Sequence, residues 1–221
     1  RDFIKPGIST AELESIAEKH IVKRGGRSAF KGYQGFPGSI CVAVNDEVVH
    51  GIPGPRRLKS ADIVGIDIGV EYKGYYADAA ATYAVGTIVP EAQRLIETTE
   101  QCLWKAISRC RPGNRLSDAS QAIQVTAEKA GYSVVRDFVG HGIGRSMHEE
   151  PQIPNFGPPN KGPRLEVGMV FALEPMVNMS GYEVKVLDDG WTVVTCDGSL
   201  SAHFEHTIAI TEDSCQILTE Q

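Results

Sequence analysis

The stretch IVGIDIGVEYKGYYADAA, residues 63–80, contains two apolar runs on either side of a turn signal at Lys73-Gly74. The apolar runs predict two β-strands, over residues 63–70 and 76–85. Because the connection between them is short, the strands are expected to pair as an antiparallel hairpin. The sequence therefore predicts a long antiparallel hairpin over residues 63–85.

Two aspartates face each other in this hairpin. With the turn centred near Tyr72-Lys73, Asp67 and Asp78 lie directly opposite each other on the same face. Opposed like charges destabilise a strand pair. Ile66 and Ile68 indicate that Asp67 is buried, which favours the protonated form of its carboxyl group. A cation between the two carboxylates is the simplest explanation of the pair.

Three helices are predicted around the hairpin. The first begins with a capping box at residues 9–12, continues with apolar residues at helical spacing and ends at Gly25-Gly26. The second begins at Pro90 and ends near Arg111, and the third covers residues 117–130. Further strands are predicted over residues 40–44, 47–50, 133–139, 169–177, 182–187, 191–196 and 204–210, with an irregular Pro-rich loop over residues 151–164 and a hairpin turn at Asp189-Gly190.

An internal repeat is visible. Lys5-Pro6-Gly7 precedes the first helix, and Arg111-Pro112-Gly113 precedes the third, 106 residues later. Strands follow each of these helices, which is the pattern of a duplicated α+β unit. Since 221 residues suit one large domain, the sequence predicts a single α+β domain over residues 1–221 with two pseudo-equivalent halves.

The composition excludes several classes of function. The formal net charge of −6, from 22 Lys and Arg against 28 Asp and Glu, gives no footprint for nucleic-acid binding. Five cysteines without a CxxC pair favour free thiols in a reducing compartment over a disulfide framework or a zinc ribbon. No apolar run approaches the ~20 residues that span a bilayer, and the N-terminus has no signal-like pattern. We therefore expect a cytoplasmic protein with no membrane partner.

The segment VGHGIGRSMHEEP, residues 139–151, surrounds His141 with glycines and carries a second histidine, His148. Glycine lets the backbone bend at a strand end and leaves room beside an imidazole, which suits a binding site. A Gly-rich turn with two surface histidines is the alternative. The segment is not a dinucleotide-binding fingerprint, because no helical pattern follows it.

Two glutamates lie in apolar, strand-like contexts, Glu174 in MVFALEPMV and Glu205 in AHFEHTIAI. Each alone could be a charge at a sheet edge. Together with the two aspartates and one imidazole they form a set of donors that suits Mn, Fe or Co, and their four negative charges balance two divalent ions. The positions of the cysteines exclude a thiolate-rich zinc site.

Several segments of the chain resemble the type I methionine aminopeptidases, namely NDEVVHGIP, the IDIG and YADAA pair, GHGIGRSMHEEP, LEPM and HFEHT. The resemblance extends from Lys5 to Leu218. It implies a pita-bread fold, in which two pseudo-symmetric halves surround a curved antiparallel sheet, and a site for two divalent metal ions. The ligands that it implies are Asp67, Asp78, His141, Glu174 and Glu205, with Asp78 and Glu205 bridging the ions, Asp67 on one ion, and His141 with Glu174 on the other.

The same resemblance implies the reaction. It is the removal of the N-terminal methionine from peptides and nascent proteins whose second residue is small, by a water molecule that bridges the two ions. His50 and His148 would contact the peptide and stabilise the developing oxyanion, and Glu174 would move the proton. The expected partners are a peptide or nascent-chain N-terminus and the ribosome, and the enzyme is expected to be a monomer.

The pocket for the first side chain of the substrate is implied in the same way. Aromatic walls and a thiol form a polarizable slot for a thioether. The lining residues are Tyr33, Phe36, Cys41 and Trp191, together with Phe30 and Met147. At these last two positions the sequence departs from the family's pattern, which has a smaller residue at the first and an aromatic residue at the second.

Three alternatives remain open. Prolidases share the fold and the metal ligands but usually carry a large additional N-terminal domain. A non-catalytic binding module on this fold would lose ligands, whereas this chain keeps all five. A thiol hydrolase built on Cys41 and His50 would lack an orienting partner. Among the other histidines, we expect His20 to face solvent and His206 to point to the opposite face of its strand. His203, two residues before Glu205, either faces the site or has a structural role, and we expect the structural role.

Overall fold

The computed structural model describes residues 1–220, which form three antiparallel sheets and three α-helices. The helices are α1 (Thr10–Lys23), α2 (Pro90–Ile107) and α3 (Leu116–Lys129). The strands are β1 (Arg27–Ser28), β2 (Cys41–Val44), β3 (Glu47–Val49), β4 (Ile63–Tyr72), β5 (Tyr75–Ala84), β6 (Ser133–Val134), β7 (Gly140–Gly142), β8 (Glu149–Ile153), β9 (Val170–Leu173), β10 (Met176–Asn178), β11 (Val184–Val186), β12 (Val193–Thr195), β13 (Ser201–His203), β14 (Glu205–Ile210) and β15 (Cys215–Ile217). Among the described residues, no helix combines the length and the apolar composition needed to cross a bilayer.

Nine strands form the main sheet. Its order is β1-β4-β5-β14-β9-β7-β8, with β2 also paired to β4 and β15 to β14. Two three-stranded sheets, β13-β10-β6 and β11-β12-β3, complete the fold. The pair β5 and β14 therefore lies at the centre of the main sheet, with β4 on one side and β9 on the other.

Alternation along the strands separates the two faces of the main sheet. Phe171 and Ile208 point to one face, where they share a buried cluster with Leu95 of α2 and Ile123 of α3. Glu205 is separated from Ile208 by three positions along β14 and so points to the other face. The buried polar residues of the strands therefore lie on the face away from α2 and α3.

The internal repeat is present in the structure. Helices α1 and α3 each have 14 residues, and α3 begins 106 residues after α1. Gly7 N–H donates to the Leu58 carbonyl before α1, and Gly113 N–H donates to the Leu165 carbonyl before α3. The two glycines have φ values of 92° and 89°, which side chains rarely permit. The chain therefore leads into α1 and α3 through the same kind of turn, with a glycine at positive φ, in both halves of the α+β fold.

The helix predictions are close to the structure. In the predicted capping box, Glu12 N–H donates to Ser9 Oγ at 3.2 Å, and Ser9 N–H donates to the Glu12 carboxylate at 2.8 Å. Helix α3 has its N-cap at Arg115 and does not begin at Ser117 as predicted. Helix α2 ends at Ile107, earlier than predicted.

Several strand predictions are wrong at their boundaries. The predicted strand over residues 169–177 is two strands, β9 and β10, because Pro175 has no N–H to donate and interrupts the pairing. Residues 151–153 were expected to be loop but belong to β8. Of the predicted strand over residues 133–139, only residues 133–134 pair as a strand. The turn at Asp189-Gly190 does connect two antiparallel strands, β11 and β12.

The register of the central hairpin also differs from the prediction. The turn is Lys73-Gly74, whose positive φ values of 53° and 83° fit a two-residue hairpin turn. In this register Asp67 lies opposite Ala80, and Asp78 lies opposite Gly69. The prediction that the two aspartates are directly opposed is therefore wrong. They are diagonal neighbours on one face, because the turn lies one residue further along the chain.

Candidate metal centre

Three of the predicted ligands lie close together on the sheet face away from the helices. Asp78 is on β5, His141 is on β7 and Glu205 begins β14. One donor atom of each lies within 4.8 Å of the others, and all three residues are buried. Donor atoms at this spacing can share one cation.

Asp67 and Glu174 approach this group from the two sides. Asp67 lies on β4, and its carboxyl group lies next to that of Asp78 on the neighbouring strand. Glu174 follows the last residue of β9, and its Oε1 lies 3.6 Å from Nε2 of His141. Strand β9 begins 107 residues after β4, and the same separation relates Asp67 to Glu174. The two halves of the fold thus present a carboxylate from equivalent positions.

Burial makes these carboxyl groups difficult to ionise together. Burial, followed by the charge of Asp78, raises the pKa of Asp67 and of Glu174 well above the ordinary range. The pKa of Glu205 is raised in the same way, and burial raises the pKa of Asp78 to about 6. Carboxylates this close destabilise one another as anions unless positive charge lies between them.

Two oxygen atoms of the group have no partner within residues 1–220. Asp67 Oδ1 and Glu205 Oε1 are buried and accept no hydrogen bond. A buried acceptor without a partner costs about 1–3 kcal/mol. Carboxylate oxygens with one imidazole nitrogen are suitable donors for ions such as Mn²⁺, Fe²⁺ or Co²⁺. These residues therefore fit a divalent metal site.

His141 is oriented as a ligand would be. Its Nδ1 lies 2.8 Å from the carbonyl oxygen of Gly142. In the tautomer that donates this hydrogen bond, Nε2 carries the free lone pair and faces Glu174. Burial lowers the pKa of His141 to about 4, so its imidazole stays neutral at about pH 7. Neutral imidazole is the form that binds metal.

The glycines around His141 are required by close backbone packing. A Cβ atom on Gly140 would lie 2.5 Å from the carbonyl oxygen of Ala172 in β9, and one on Gly142 would lie 2.3 Å from that of Glu150 in β8. Strand β7 can therefore lie between β9 and β8 only with glycine at both positions. The alternative of a Gly-rich turn with a surface histidine does not hold for His141, which is buried in a strand.

Two further histidines lie near the ligands. His148 Nδ1 is 2.8 Å from Tyr33 Oη, and its ring centroid is 4.2 Å from that of His141. His50 packs edge-on against Phe138 at 5.5 Å and has a φ of 59°. Burial, together with the charge of His148, lowers the pKa of His50 to about 4. A non-glycine residue at positive φ is uncommon and often marks a functional site.

The residues predicted to line the methionine pocket lie in one apolar cluster. Phe36 makes edge-to-face contacts with Phe30, at a centroid distance of 6.4 Å, and with Trp191, at 5.1 Å. Cys41 on β2 pairs with Asp67 on β4, so the cluster adjoins the carboxylates. The predicted members of the cluster are Phe30, Tyr33, Phe36, Cys41, Met147 and Trp191.

Phe30 and Met147, where the sequence departs from the family's pattern, are both buried in this cluster. Gly69 makes room for the larger side chain, because a Cβ atom at Gly69 would lie 2.4 Å from the Phe30 ring. The departure at Phe30 is thus accommodated by a glycine on the neighbouring strand β4.

The environment of Cys41 argues against a thiol nucleophile. Burial, reinforced by the negative charges of Asp67, Asp78 and Glu205, raises the pKa of the Cys41 thiol well above its ordinary value. A nucleophilic cysteine needs the opposite, an electropositive surrounding that favours the thiolate. This environment disfavours the hydrolase built on Cys41 and His50.

His203 does face the site, which is one of the two alternatives that the sequence left open. It is buried, and its Nε2 lies 3.9 Å from Oε2 of Glu205. Its separation of two residues from Glu205 is the sequence signal for this placement, because it puts both on one face of a strand; the structural role that we expected for it stays a prediction. His206 points to the opposite face, where its Nδ1 lies 2.8 Å from Thr219 Oγ1, and His20 is exposed, both as predicted.

Comparison with known proteins agrees with this geometry. The model of metallopeptidase family M24 matches residues 1–212. Methionine aminopeptidase 1 of Bacillus subtilis (strain 168) is 59% identical over 219 residues, which cover 99% of this chain and 88% of that protein. The crystal structure of methionine aminopeptidase from Thermotoga maritima is 48% identical with a TM-score of 0.98, and the match covers 100% of this chain and 89% of that one.

The prolidase from Pyrococcus furiosus has the same fold at lower similarity. It is 22% identical with a TM-score of 0.78, and the match covers 100% of this chain but 58% of the prolidase. At this identity the likeness concerns the fold alone. Together, the two structural likenesses confirm the predicted α+β pita-bread fold.

Proposed function

The chain belongs to metallopeptidase family M24 and, within it, to the methionine aminopeptidases, and from this premise we propose that it removes the N-terminal methionine from peptides and nascent proteins whose second residue is small. It is a hydrolase that uses divalent metal. The observation that carries the proposal is a group of buried carboxylate and imidazole donors that adjoins an aromatic, thiol-containing pocket on one sheet face.

The proposed centre would hold two ions. Asp78 and Glu205 would be shared by both, Asp67 would bind one ion, and His141 with Glu174 would bind the other. Four carboxylates then balance four positive charges, and oxygen and imidazole donors suit Mn, Fe or Co. When bound, such ions act as Lewis acids and bring the pKa of a coordinated water close to neutrality.

Three side chains are proposed to act on the peptide. His148 Nδ1 lies 2.8 Å from Tyr33 Oη. In the tautomer in which Nδ1 accepts this hydrogen bond, Nε2–H is left to donate to the oxygen of the first peptide carbonyl. His50 is the second contact to the peptide, and such donors stabilise a developing oxyanion. Glu174 accepts a proton at its carboxylate and returns it to the leaving amine.

The methionine side chain is proposed to enter the cluster formed by Tyr33, Phe36, Cys41 and Trp191. An unbranched thioether fits a narrow aromatic slot, and sulfur–aromatic contacts contribute ~0.3–1.5 kcal/mol. A hydrophobic pocket separates close analogues by about 1–3 kcal/mol, so norleucine should also be cleaved detectably. The acidic end of the site should bind the free amine, so a blocked N-terminus should resist cleavage.

We also propose the oligomeric state of the enzyme, its compartment and the source of its substrates. A single catalytic domain over residues 1–221 acts as a monomer in the cytoplasm, on chains that emerge from the ribosome. All five cysteines are free thiols, which supports a reducing compartment. The net charge of −6 gives no reason to expect direct nucleic-acid binding.

A panel of four peptides tests the proposal. Mn²⁺-loaded protein is given Met-Ala-Ser, Leu-Ala-Ser, acetyl-Met-Ala-Ser and Ala-Pro-Ser, and the released amino acid is quantified. We expect rapid release of methionine from the first peptide and, from the other three, release slower by about 10-fold or more, because each lacks either the thioether or the free amine. Trp191→Ala should reduce the preference for methionine over leucine while metal content stays at the wild-type level.

Two outcomes would contradict the proposal. Preferential cleavage of Ala-Pro-Ser would favour the prolidase-like alternative. No cleavage of any peptide by metal-loaded protein would favour the non-catalytic binding module.

A further inference from the structure

Threonine side chains join the central strands β5 and β14 at both ends of their short pairing. Thr207 Oγ1 accepts a hydrogen bond from Asp78 N–H at 2.9 Å and donates one to the Asp78 carbonyl at 2.8 Å. Thr82 Oγ1 accepts one from His203 N–H at 2.9 Å and donates one to the His203 carbonyl at 2.9 Å. The two arrangements are the same with the strands exchanged, so a local twofold axis relates them.

This axis relates His203 to Asp78. Glu205 and Ala80 lie directly opposite each other across the central pair, and the axis exchanges these two positions. Two residues before each of them are His203 and Asp78, on the face that carries the ligands. His203 therefore occupies, in the second half of the fold, the position at which the first half carries a proposed metal ligand.

The side chain of His203 points at Glu205. His203 is 4% exposed, and its Nε2 is buried without a hydrogen-bond partner in the described part of the chain. Nε2 lies 3.9 Å from Oε2 of Glu205, which is longer than a hydrogen bond. The terminal torsion of glutamate is soft, so a small rotation of the carboxylate closes this gap. An unpaired buried N–H costs about 1–3 kcal/mol, which favours the contact.

We propose that His203 is a positioning residue of the metal centre: its Nε2–H donates to Oε2 of Glu205 and fixes the orientation in which this carboxylate binds metal. The inference rests on the proposed function, in which Glu205 bridges the two ions. Carboxylate ligands are themselves held by hydrogen bonds, and loss of such an outer partner typically costs about 10–100-fold in metal affinity or activity.

His206 provides a matched control. It follows Glu205 directly in the chain, but its ring lies on the other face, where Nδ1 is 2.8 Å from Thr219 Oγ1 and the ring centroid is 5.8 Å from that of Trp104. His206→Leu removes an imidazole next to a proposed ligand without changing the face that carries the ligands.

The test measures the dissociation constant of Mn²⁺ for metal-free protein by isothermal titration calorimetry. The proteins are wild type, His203→Leu, His203→Gln and His206→Leu. We expect His203→Leu to weaken Mn²⁺ binding by about 10–100-fold and to lower kcat for Met-Ala-Ser with little change in KM. The glutamine amide can replace the Nε2–H donor, so His203→Gln should restore most of the affinity, and His206→Leu should match wild type.

A wild-type Mn²⁺ affinity in His203→Leu, or equal losses in His203→Leu and His203→Gln, would overturn the inference while leaving the proposed function intact. If His203→Leu does not fold, His203→Asn takes its place, because the shorter amide cannot reach Oε2 of Glu205. Weak binding in His203→Asn with near-normal binding in His203→Gln supports the inference, and equal affinities overturn it. A wild type that binds no Mn²⁺ and releases no methionine contradicts the proposed function itself.

Discussion

The four carboxyl groups of the candidate metal centre reduce the stability of the folded, metal-free protein. Asp67, Asp78, Glu174 and Glu205 are held close together, and each has a raised pKa because burial disfavours its charged form. Buried carboxylates of like charge with no counter-charge between them destabilise the folded state. Divalent cations supply the opposite charge, so the ionised cluster becomes favourable only with metal bound.

His148 and His50 are expected to act on the substrate and not on the ions. His148→Ala and His50→Ala should therefore keep the bound metal, while kcat for Met-Ala-Ser falls by about 10²–10³ because a donor to the developing oxyanion is lost. Metal content and steady-state kinetics of the two purified variants check this expectation.

His20→Ala is the control for these variants, because His20 is exposed near the end of α1. Its metal content and kcat should equal those of wild type. Loss of metal from His148→Ala or His50→Ala would mean that the histidine concerned is itself a ligand.

The candidate ligands could be recognised from the sequence because charged residues inside apolar strands are costly and therefore rare. Glu174 and Glu205 stand out in this way. His203 does not, since a histidine in a strand is often a core residue. Its proposed role depends on the distance between two side-chain atoms and on a symmetry between β5 and β14, neither of which a sequence pattern expresses.

Among the elements, β7 has no room for side chains at either of its glycines. It lies between β9 and β8, and the backbone carbonyls of both neighbours approach its glycines so closely that any Cβ atom would overlap them. Since β7 carries His141, the packing of this one strand sets the position of the imidazole in the metal centre.

Gly142→Ala should therefore lower both stability and activity. The added Cβ atom meets a backbone oxygen at 2.3 Å, and overpacking of this kind typically costs about 1–3 kcal/mol. For a chain of this size each kcal/mol corresponds to roughly 2–4 °C in Tm. Differential scanning calorimetry and the rate of methionine release measure the two effects.

Gly144→Ala is the matched variant in the same segment. Its added Cβ atom would lie 3.5 Å from the flexible carboxylate of Glu149, so Tm and rate should stay close to wild type. Equal losses in Gly142→Ala and Gly144→Ala would show that backbone approach is not what requires the glycines.

The long elements could be predicted and the short ones could not. The hairpin of β4 and β5 and the three helices have clear periodicity. Strand β7 has three residues, Gly140–Gly142, too few to show a period. The register of the hairpin was predicted wrongly by a small shift, because residues 71–76 offer more than one turn and only the backbone φ values at Lys73-Gly74 select between them.

In the complete fold, both halves contribute carboxylates to the candidate metal centre. Asp67 and Glu174 lie at equivalent positions in β4 and just after β9, on either side of the central pair of strands. The repeat of 106 residues between the helices predicted this duplication. It could not predict where the symmetry axis passes, because the pairing of β5 with β14 joins residues far apart in the chain.

The stability of the metal-free molecule should fall as pH rises above about 6.5, where histidines no longer titrate. Folded protein holds protons on Asp67, Glu174 and Glu205, whose pKa values are raised, whereas these groups are ionised in the unfolded chain. The folded state then binds more protons, and stability decreases with increasing pH. The buried histidines act in the opposite sense, but only below about pH 6.5.

Thermal unfolding of chelated protein at several pH values in this range measures the effect. Mn²⁺-loaded protein should show a smaller change in Tm, because its carboxylates are already ionised, and chelated Glu205→Gln should show a shallower slope than chelated wild type. Parallel pH profiles for the chelated and loaded wild-type protein would contradict this explanation.

The proposal that cleavage depends on divalent metal held by the buried carboxylates is tested most directly by titrating metal-free protein with Mn²⁺. Methionine release from Met-Ala-Ser is recorded during the titration. We expect chelated protein to be inactive and the rate to recover as Mn²⁺ binds. Asp78→Asn and Glu205→Gln should show neither full metal content nor recovery, since each loses a ligand that we propose to be shared by two ions. Glu100→Gln, exposed on α2, should behave as wild type. Methionine release that persists in fully chelated protein would contradict the dependence on metal. Full metal content with a near-normal rate in Asp78→Asn or Glu205→Gln would contradict the proposed ligands.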